Sequence, residues 1–187
     1  MIIVAGGDSF VWGSELSDSR HGGLNGYSKK TFPALLASDG YICAAYPGLG
    51  NSSIAERVKL HLVPNCGVIV SWSWPSRDSA LDSDNVIIEL QQHLVKHDIP
   101  YMFTCADNCV VTNNPDIDWS KWFLFPVIPN SGWHSNEEPR GFYQWALENK
   151  YELAPKDKHP LEQAHLDASQ LMKEMFNELV TKPYQSR

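Results

Sequence analysis

The stretch IIVAGGDSFVWG, from Ile2 to Gly13, decides the fold. Its short apolar run shows no alternation with polar residues, which is typical of a strand that is covered on both faces. Two glycines follow and permit a tight turn that side chains would obstruct. The stretch therefore predicts a buried first strand with the Ser9 hydroxyl just beyond its carboxyl end. A helix N-terminus at that point would favour developing negative charge.

Three further apolar runs resemble the first and predict strands at Tyr41–Ala45, Val68–Trp72 and Tyr101–Cys105. Helical patterns lie between and after them, over residues 30–38, 52–62 and 83–97 and from Pro160 onwards. Strands that alternate with helices predict an α/β fold with a parallel sheet and helices on both faces, as one domain over residues 1–187.

The segment from Asn108 to Arg140 interrupts this alternation. It is rich in Asn, Pro, Asp and Trp, and we interpret it as a loop-rich excursion with a short helix or strand near Trp119–Phe125. Excursions near the carboxyl ends of parallel strands commonly shape a site.

Charge and cysteine content exclude several classes of protein. The 187 residues include 22 acidic and 15 basic side chains, a net charge of −7, which argues against general nucleic-acid binding and against docking on anionic lipid. There is no apolar run of about 20 residues for a membrane span. Four cysteines, two of them in predicted strands, are expected to be ordinary free thiols, and no metal site is predicted; they are Cys43, Cys66, Cys105 and Cys109.

A serine hydroxyl needs a base before it can act as a nucleophile. Among seven histidines, His159 stands in the sequence Asp157-Lys158-His159-Pro160. A carboxylate two residues ahead could hold Nδ1–H and leave Nε2 free to accept a proton. The alternatives are that Asp8 or Ser9 only caps a helix, that Asp157 is also a cap, and that His159 is a surface residue. His165 is the alternative base.

Taken together, Gly7-Asp8-Ser9 and Asp157-x-His159-Pro160 resemble the motifs of the SGNH (GDSL-type) hydrolase family. The resemblance implies a flavodoxin-like three-layer α/β/α sandwich with a parallel central sheet. It also implies Ser9 as nucleophile, His159 as base and Asp157 as the residue that orients it, with no cofactor. The backbone N–H groups of Ser9 and Gly50 would form the oxyanion hole, with Asn51 as a third donor.

Two departures from the family pattern stand out. After the third strand the family has Gly-x-Asn-Asp, whose Asn is an oxyanion donor, whereas this chain reads SWSWPSR from Ser71 to Arg77. That pattern is similar to a bacteriophage-type subgroup. The acid and the histidine are also one residue closer together than is usual. Ser73, Asn51 or Arg77 could replace the missing donor; the residues expected to contact substrate are Asp8, Trp72, Ser73, Trp74 and Arg77.

These observations lead to two functional hypotheses. The first is a serine hydrolase that cleaves an ester, such as an acetylated carbohydrate, through an acyl-enzyme intermediate. The second is a catalytically weak or inactive module on the same scaffold that recognises a glycan or a protein partner. A nucleotide-binding domain is disfavoured because no phosphate loop is recognised. Because no signal-peptide pattern is present, we expect a cytoplasmic protein. A viral protein made in the cytoplasm of its host would fit the same expectation.

Overall fold

The computed structural model describes residues 1–19, 26–78, 82–127 and 138–181. Its core is a sheet of four strands in the order β2-β1-β3-β4, and all neighbouring strands are parallel. The predicted parallel sheet is confirmed, although the second strand ends at Cys43 rather than at Ala45. The strands are β1 (Ile2–Gly6), β2 (Tyr41–Cys43), β3 (Cys66–Trp72) and β4 (Tyr101–Cys105).

Each face of the sheet is covered by helices. In β3, Val68 and Val70 belong to one buried cluster and Ile69 to the other, because successive side chains of a strand point to opposite faces. Two helices pack on the first face, α3 (Asn51–His61) and α4 (Ser83–Lys96). Four pack on the second, α1 (Ser9–Trp12), α2 (Phe32–Leu36), α5 (Phe142–Glu148) and α6 (Glu162–Thr181). The result is the predicted three-layer arrangement.

The last helix begins later than predicted. Pro160 is not its first residue but forms an antiparallel bridge with Leu153, and the helix begins at Glu162. Within the described ranges, none of the helices is long and apolar enough to cross a membrane.

The excursion after β4 returns to the sheet edge. A single 3-10 turn at Trp119–Lys121 precedes Trp122, which forms a parallel bridge with Phe103 of β4. Phe125 then pairs with Arg140 in an antiparallel bridge. These elements confirm the short helix or strand predicted near Trp119–Phe125. Residues 128–137 of the excursion lie outside the described residues.

Candidate active site

Ser9 lies where the fold favours a nucleophile, at the carboxyl edge of the parallel sheet. It is the first residue of α1, and its neighbour Asp8 caps that helix by accepting a hydrogen bond from the Phe10 N–H at 3.0 Å. Gly13 ends the helix in a left-handed conformation, φ 76°, packed so closely on Ser28 that a side chain would collide with it. Ser9 is 8% exposed.

His159 lies beside this helix, although 150 residues separate it from Ser9 in the chain. Its ring packs edge-on against Phe10, with 5.4 Å between ring centroids. Its Nδ1 is 2.7 Å from Oε2 of Glu15. An ionised carboxylate can only accept a hydrogen bond, so Nδ1 carries a proton, and in the neutral imidazole Nε2 is then the acceptor. The Ser9 hydroxyl makes no hydrogen bond to another described residue.

The acid that holds the imidazole is Glu15, which corrects the prediction that Asp157 does so. Asp157 contributes its backbone N–H, 3.2 Å from Glu15 Oε2. Its carboxylate is 48% exposed and lies 3.6 Å from Lys156 Nζ. Burial alone would raise the pKa of Glu15, but hydrogen bonds from His159 and Asp157 and the attraction of His159 together lower it. No motif near His159 pointed to Glu15; the available signal was a carboxylate six residues after Ser9.

Asp8, which is fully buried, forms an ion pair with the partly exposed Arg77. Oδ2 of Asp8 accepts hydrogen bonds from Arg77 Nη1 and Ser73 Oγ, both at 2.8 Å. Burial raises the pKa of Asp8 despite these bonds, which favour its charged form. The Arg77 guanidinium also lies over the Trp74 ring, 4.8 Å from its centroid. Arg77, one of the candidates for the missing donor, is thus paired with Asp8.

The loop that follows β2 is clamped to the loop that follows β3. The Asn51 side-chain amide donates to Ser73 O and Ser83 Oγ, and its oxygen accepts from Ser73 N–H. Since both amide hydrogens are used, the prediction of Asn51 as an oxyanion donor is wrong. Asp78 approaches Gly50 so closely that a side chain at Gly50 would collide with its carboxylate.

Two backbone donors remain open at this edge. In the part of the chain that the structure describes, neither the Ser9 nor the Gly50 N–H donates a hydrogen bond to another residue. Both were predicted oxyanion donors, and they stay available for that role.

Burial separates the predicted substrate contacts into two groups. Asp8, Trp72 and Ser73 are at most 1% exposed, so their prediction as substrate contacts is wrong. Trp72 packs edge-on against Phe103 in the core, with 5.3 Å between centroids. Trp74 is partly exposed, and the Arg77 side chain is 31% exposed, so these two remain accessible.

Other titratable groups have structural surroundings. His165, the alternative base, is 1% exposed, and its Nδ1 accepts the Phe32 N–H at 3.3 Å; it is a core residue. The four cysteines are free thiols, as predicted.

Glu15, Asp157 and His159 bring potential ligand atoms within 4.8 Å of one another and are the residues that could hold a metal ion. The 2.7 Å bond between Glu15 and Nδ1 already occupies two of these atoms.

Comparison with known proteins agrees with the architecture. No family model and no curated protein matches the chain. Among solved structures, a two-domain esterase (CEX) active on acetylated mannans, co-crystallised with mannopentaose, superposes with a TM-score of 0.63 at 14% identity. That match covers 100% of this chain and 51% of the esterase, so the chain spans about half of its length.

Two other structures match over their full lengths. A member of the lipolytic protein G-D-S-L family from Veillonella parvula gives a TM-score of 0.53 at 13% identity, covering 96% of this chain and 100% of that one. The psychrotrophic esterase EstA from Pseudoalteromonas sp., inhibited by monoethylphosphonate, gives 0.54 at 12%, covering 97% and 99%. The parallel sheet between two helical layers is therefore the α/β fold of these SGNH and GDSL esterases.

Proposed function

We propose that the chain is a serine esterase in which Ser9 is the nucleophile, His159 the general base and Glu15 the residue that orients the base. The observation that carries this proposal is the 2.7 Å bond between Glu15 and His159 Nδ1, next to the helix that begins with Ser9. It fixes the tautomer with a free Nε2, which a general base requires.

The reaction would proceed in two halves. Ser9 Oγ attacks the acyl carbon, and its proton passes to His159 Nε2. The imidazolium then protonates the leaving alcohol, which leaves an acyl-serine. Water, deprotonated by the same nitrogen, attacks that ester, releases the carboxylic acid and restores the hydroxyl. Glu15 stabilises the transient imidazolium throughout. Catalytic hydrogen bonds often form fully only with substrate bound, so we expect Ser9 Oγ and His159 Nε2 to come within hydrogen-bond distance on binding.

The tetrahedral oxyanion would be held by the N–H groups of Ser9 and Gly50. Both belong to turns at the carboxyl edge, and the Gly50 turn is held by Asp78 and Asn51. Donors that are fixed before the reaction cost no reorganisation during it. Losing one donor costs roughly 10²–10³ in rate elsewhere, so the missing family Asn predicts a slow enzyme.

An acetylated carbohydrate is our proposed substrate class. The structural neighbour active on acetylated mannans supports it, as does the partly exposed aromatic wall beside His159. In that wall the ring of Tyr143 stacks on Phe10 at 5.5 Å, and Trp74 lies 5.9 Å from Phe10. Aromatic faces of this kind provide large apolar contact area for a ring-shaped ligand.

The test is covalent labelling together with hydrolysis. A fluorophosphonate should modify Ser9, as located by peptide mass spectrometry, and Ser9→Ala should neither be labelled nor hydrolyse p-nitrophenyl acetate. Circular dichroism and thermal unfolding would check that the variant is folded. Hydrolysis that persists in folded Ser9→Ala would remove Ser9 as nucleophile.

The alternative, a binding module without catalysis, has one observation in its favour. The position where the family has its donor Asn is occupied by Ser73, whose hydroxyl and N–H are both used by Asp8 and Asn51. A folded wild-type protein without a fluorophosphonate adduct would favour this alternative.

A further inference from the structure

An exposed aromatic side chain, Tyr46, stands beside the turn that carries Ser9 and has no part in the reaction steps above. It is 52% exposed, the most exposed large aromatic ring among the described residues. Its backbone N–H donates to Gly7 O at 3.2 Å, which ties the loop after β2 to the turn before Ser9. The Tyr46 backbone is thus bonded to Gly7, which lies two residues before Ser9 in the chain.

The Tyr46 ring is held in place from two sides. Trp12 meets it edge-on, with 5.3 Å between centroids and 69° between planes. The Arg57 guanidinium lies 5.8 Å from the same ring, and its Nε donates to Ala44 O at 2.7 Å. Because these contacts restrict the ring, a ligand that stacks on it would cost little side-chain entropy.

Trp12 connects this ring to the nucleophile. It lies three residues after Ser9 in α1, and residues at i and i+3 share one face of a helix. One turn of helix is about 5 Å long, so the Trp12–Tyr46 pair extends from the same short helix that begins with Ser9. The wall formed by Phe10, Trp74 and Tyr143 lies beside His159. The Trp12–Tyr46 pair, in contrast, comes from the end of α1 and the loop after β2.

We propose that Trp12 and Tyr46 form a carbohydrate subsite in which a pyranose ring of the substrate stacks on Tyr46. An aromatic ring held out in water, rigid and with a polar tip, suits the apolar face of a sugar whose hydroxyls stay solvated. The Arg57 guanidinium lies over one face of the Tyr46 ring, so the sugar would stack on the opposite face. This inference rests on the proposed function, since the sugar would belong to the acylated substrate.

The first experiment measures binding apart from catalysis. In a Ser9→Ala background, titration with partially acetylated mannopentaose is followed by calorimetry. Tyr46→Ala should raise the dissociation constant about tenfold, the loss of affinity expected for one stacked ring. Tyr46→Phe should leave the dissociation constant unchanged. The matched control is Leu60→Ala, because Leu60 is an 81% exposed apolar side chain near the opposite end of α3.

The second experiment measures specificity. The ratio of kcat/KM for acetylated mannopentaose to kcat/KM for p-nitrophenyl acetate should fall about tenfold in Tyr46→Ala, through KM for the oligosaccharide. An unchanged ratio in an active enzyme, no binding by the Ser9→Ala protein at millimolar oligosaccharide, or an equal loss in Leu60→Ala would overturn the subsite. An inactive wild type that binds the oligosaccharide through Tyr46 would retain the subsite and reject only the esterase.

Discussion

Glu15 holds its carboxylate against His159 from a backbone conformation that side chains rarely adopt. Its φ is 69°, and Lys158, next to His159, has φ 59°. Left-handed conformations of residues other than glycine cost free energy and persist where surrounding contacts determine them. One of these residues, Glu15, forms the bond to His159, and the other, Lys158, directly precedes His159. The bond therefore forms between two segments with strained backbone conformations.

Glu15→Gln should therefore reduce kcat by roughly 10²–10⁴-fold, the usual contribution of a correctly oriented general base. The amide no longer stabilises the imidazolium and can hold Nδ1 in the wrong tautomer. Steady-state hydrolysis of p-nitrophenyl acetate measures the change.

Asp157→Asn is the matched control because it removes a neighbouring charge but leaves the Asp157 backbone N–H bonded to Glu15. We expect it to retain kcat within about threefold, since the charge is largely exposed and screened. Loss of activity in Asp157→Asn with retention in Glu15→Gln would reverse the two roles.

The ion pair between Asp8 and Arg77 should be a stability determinant. Arg77→Met leaves the buried Asp8 carboxylate without its charged partner. Breaking a fully buried pair costs about 3–5 kcal/mol, and because the Arg77 side chain is 31% exposed, the loss should fall below that range. The double variant Asp8→Asn/Arg77→Met removes both charges and should recover much of that free energy of unfolding. Urea unfolding at pH 7 of the wild type, both single variants and the double variant completes a double-mutant cycle. If the two losses of unfolding free energy simply add, the two side chains do not interact energetically.

The sequence indicated Ser9 and His159 as candidate site residues but did not indicate Glu15 as the acid bonded to His159. Ser9 and His159 lie in short motifs whose residue types suggest their chemistry. Glu15 lies in no motif and is 144 residues from its partner, so only the tertiary fold brings it there. The burial of Asp8 and Ser73 could not be predicted either. The sequence around a polar side chain does not show that a distant arginine forms a hydrogen bond or ion pair with it.

At the scale of the element, α6 carries a histidine that must stay neutral. Burial lowers the pKa of His165 from 6.5 to about 3, and the ring packs against Phe142 at 4.7 Å between centroids. Between these pH values the unfolded chain binds a proton that the folded chain does not. The free energy of unfolding should therefore fall as pH drops from 6.5 towards 3.

His165→Asn should flatten this dependence, because the amide oxygen can still accept the Phe32 N–H but does not titrate. The variant loses ring packing at every pH, so the informative quantity is the slope of unfolding free energy against pH between 6 and 4. Equal slopes in wild type and His165→Asn would contradict the assignment.

Element boundaries were predictable where local patterns are strong. The β4 strand was predicted to the residue and α4 to within one residue of its end, since a compact apolar run and helical periodicity mark them. The start of α6 was missed because the bridge between Leu153 and Pro160 depends on a contact outside the local pattern. Asn51 was misread because a polar residue at a helix start resembles a free donor.

At the scale of the molecule, the site depends on bringing distant parts of the chain together at one sheet edge. The segment after α1 is fixed to the start of α6 by the Ser17 N–H, which donates to Glu162 Oε1 at 2.9 Å. Lys30 Nζ lies 3.6 Å from the same oxygen. Ser17 follows Glu15 by two residues and Glu162 follows His159 by three, so this hydrogen bond joins the two segments that carry the Glu15–His159 pair.

Glu162→Gln should weaken that connection. Partial burial raises the pKa of Glu162, but the hydrogen bonds from Ser17 and the charge of Lys30 outweigh it and lower the pKa from 4.5 to about 2. The folded state therefore gains stability from the charged form above pH 4.5 and loses it as pH falls towards 2. Because the side chain is 37% exposed, solvent screening keeps this gain modest.

The variant should unfold at a lower temperature than wild type at pH 7, and the difference should disappear towards pH 2. If the connection also positions Glu15, kcat for p-nitrophenyl acetate should fall in Glu162→Gln at temperatures where the protein is fully folded. Glu174→Gln is the matched control, since it removes an exposed carboxylate elsewhere on the same helix. A Glu162→Gln protein with wild-type melting temperature at pH 7 would show that this connection does not contribute to stability.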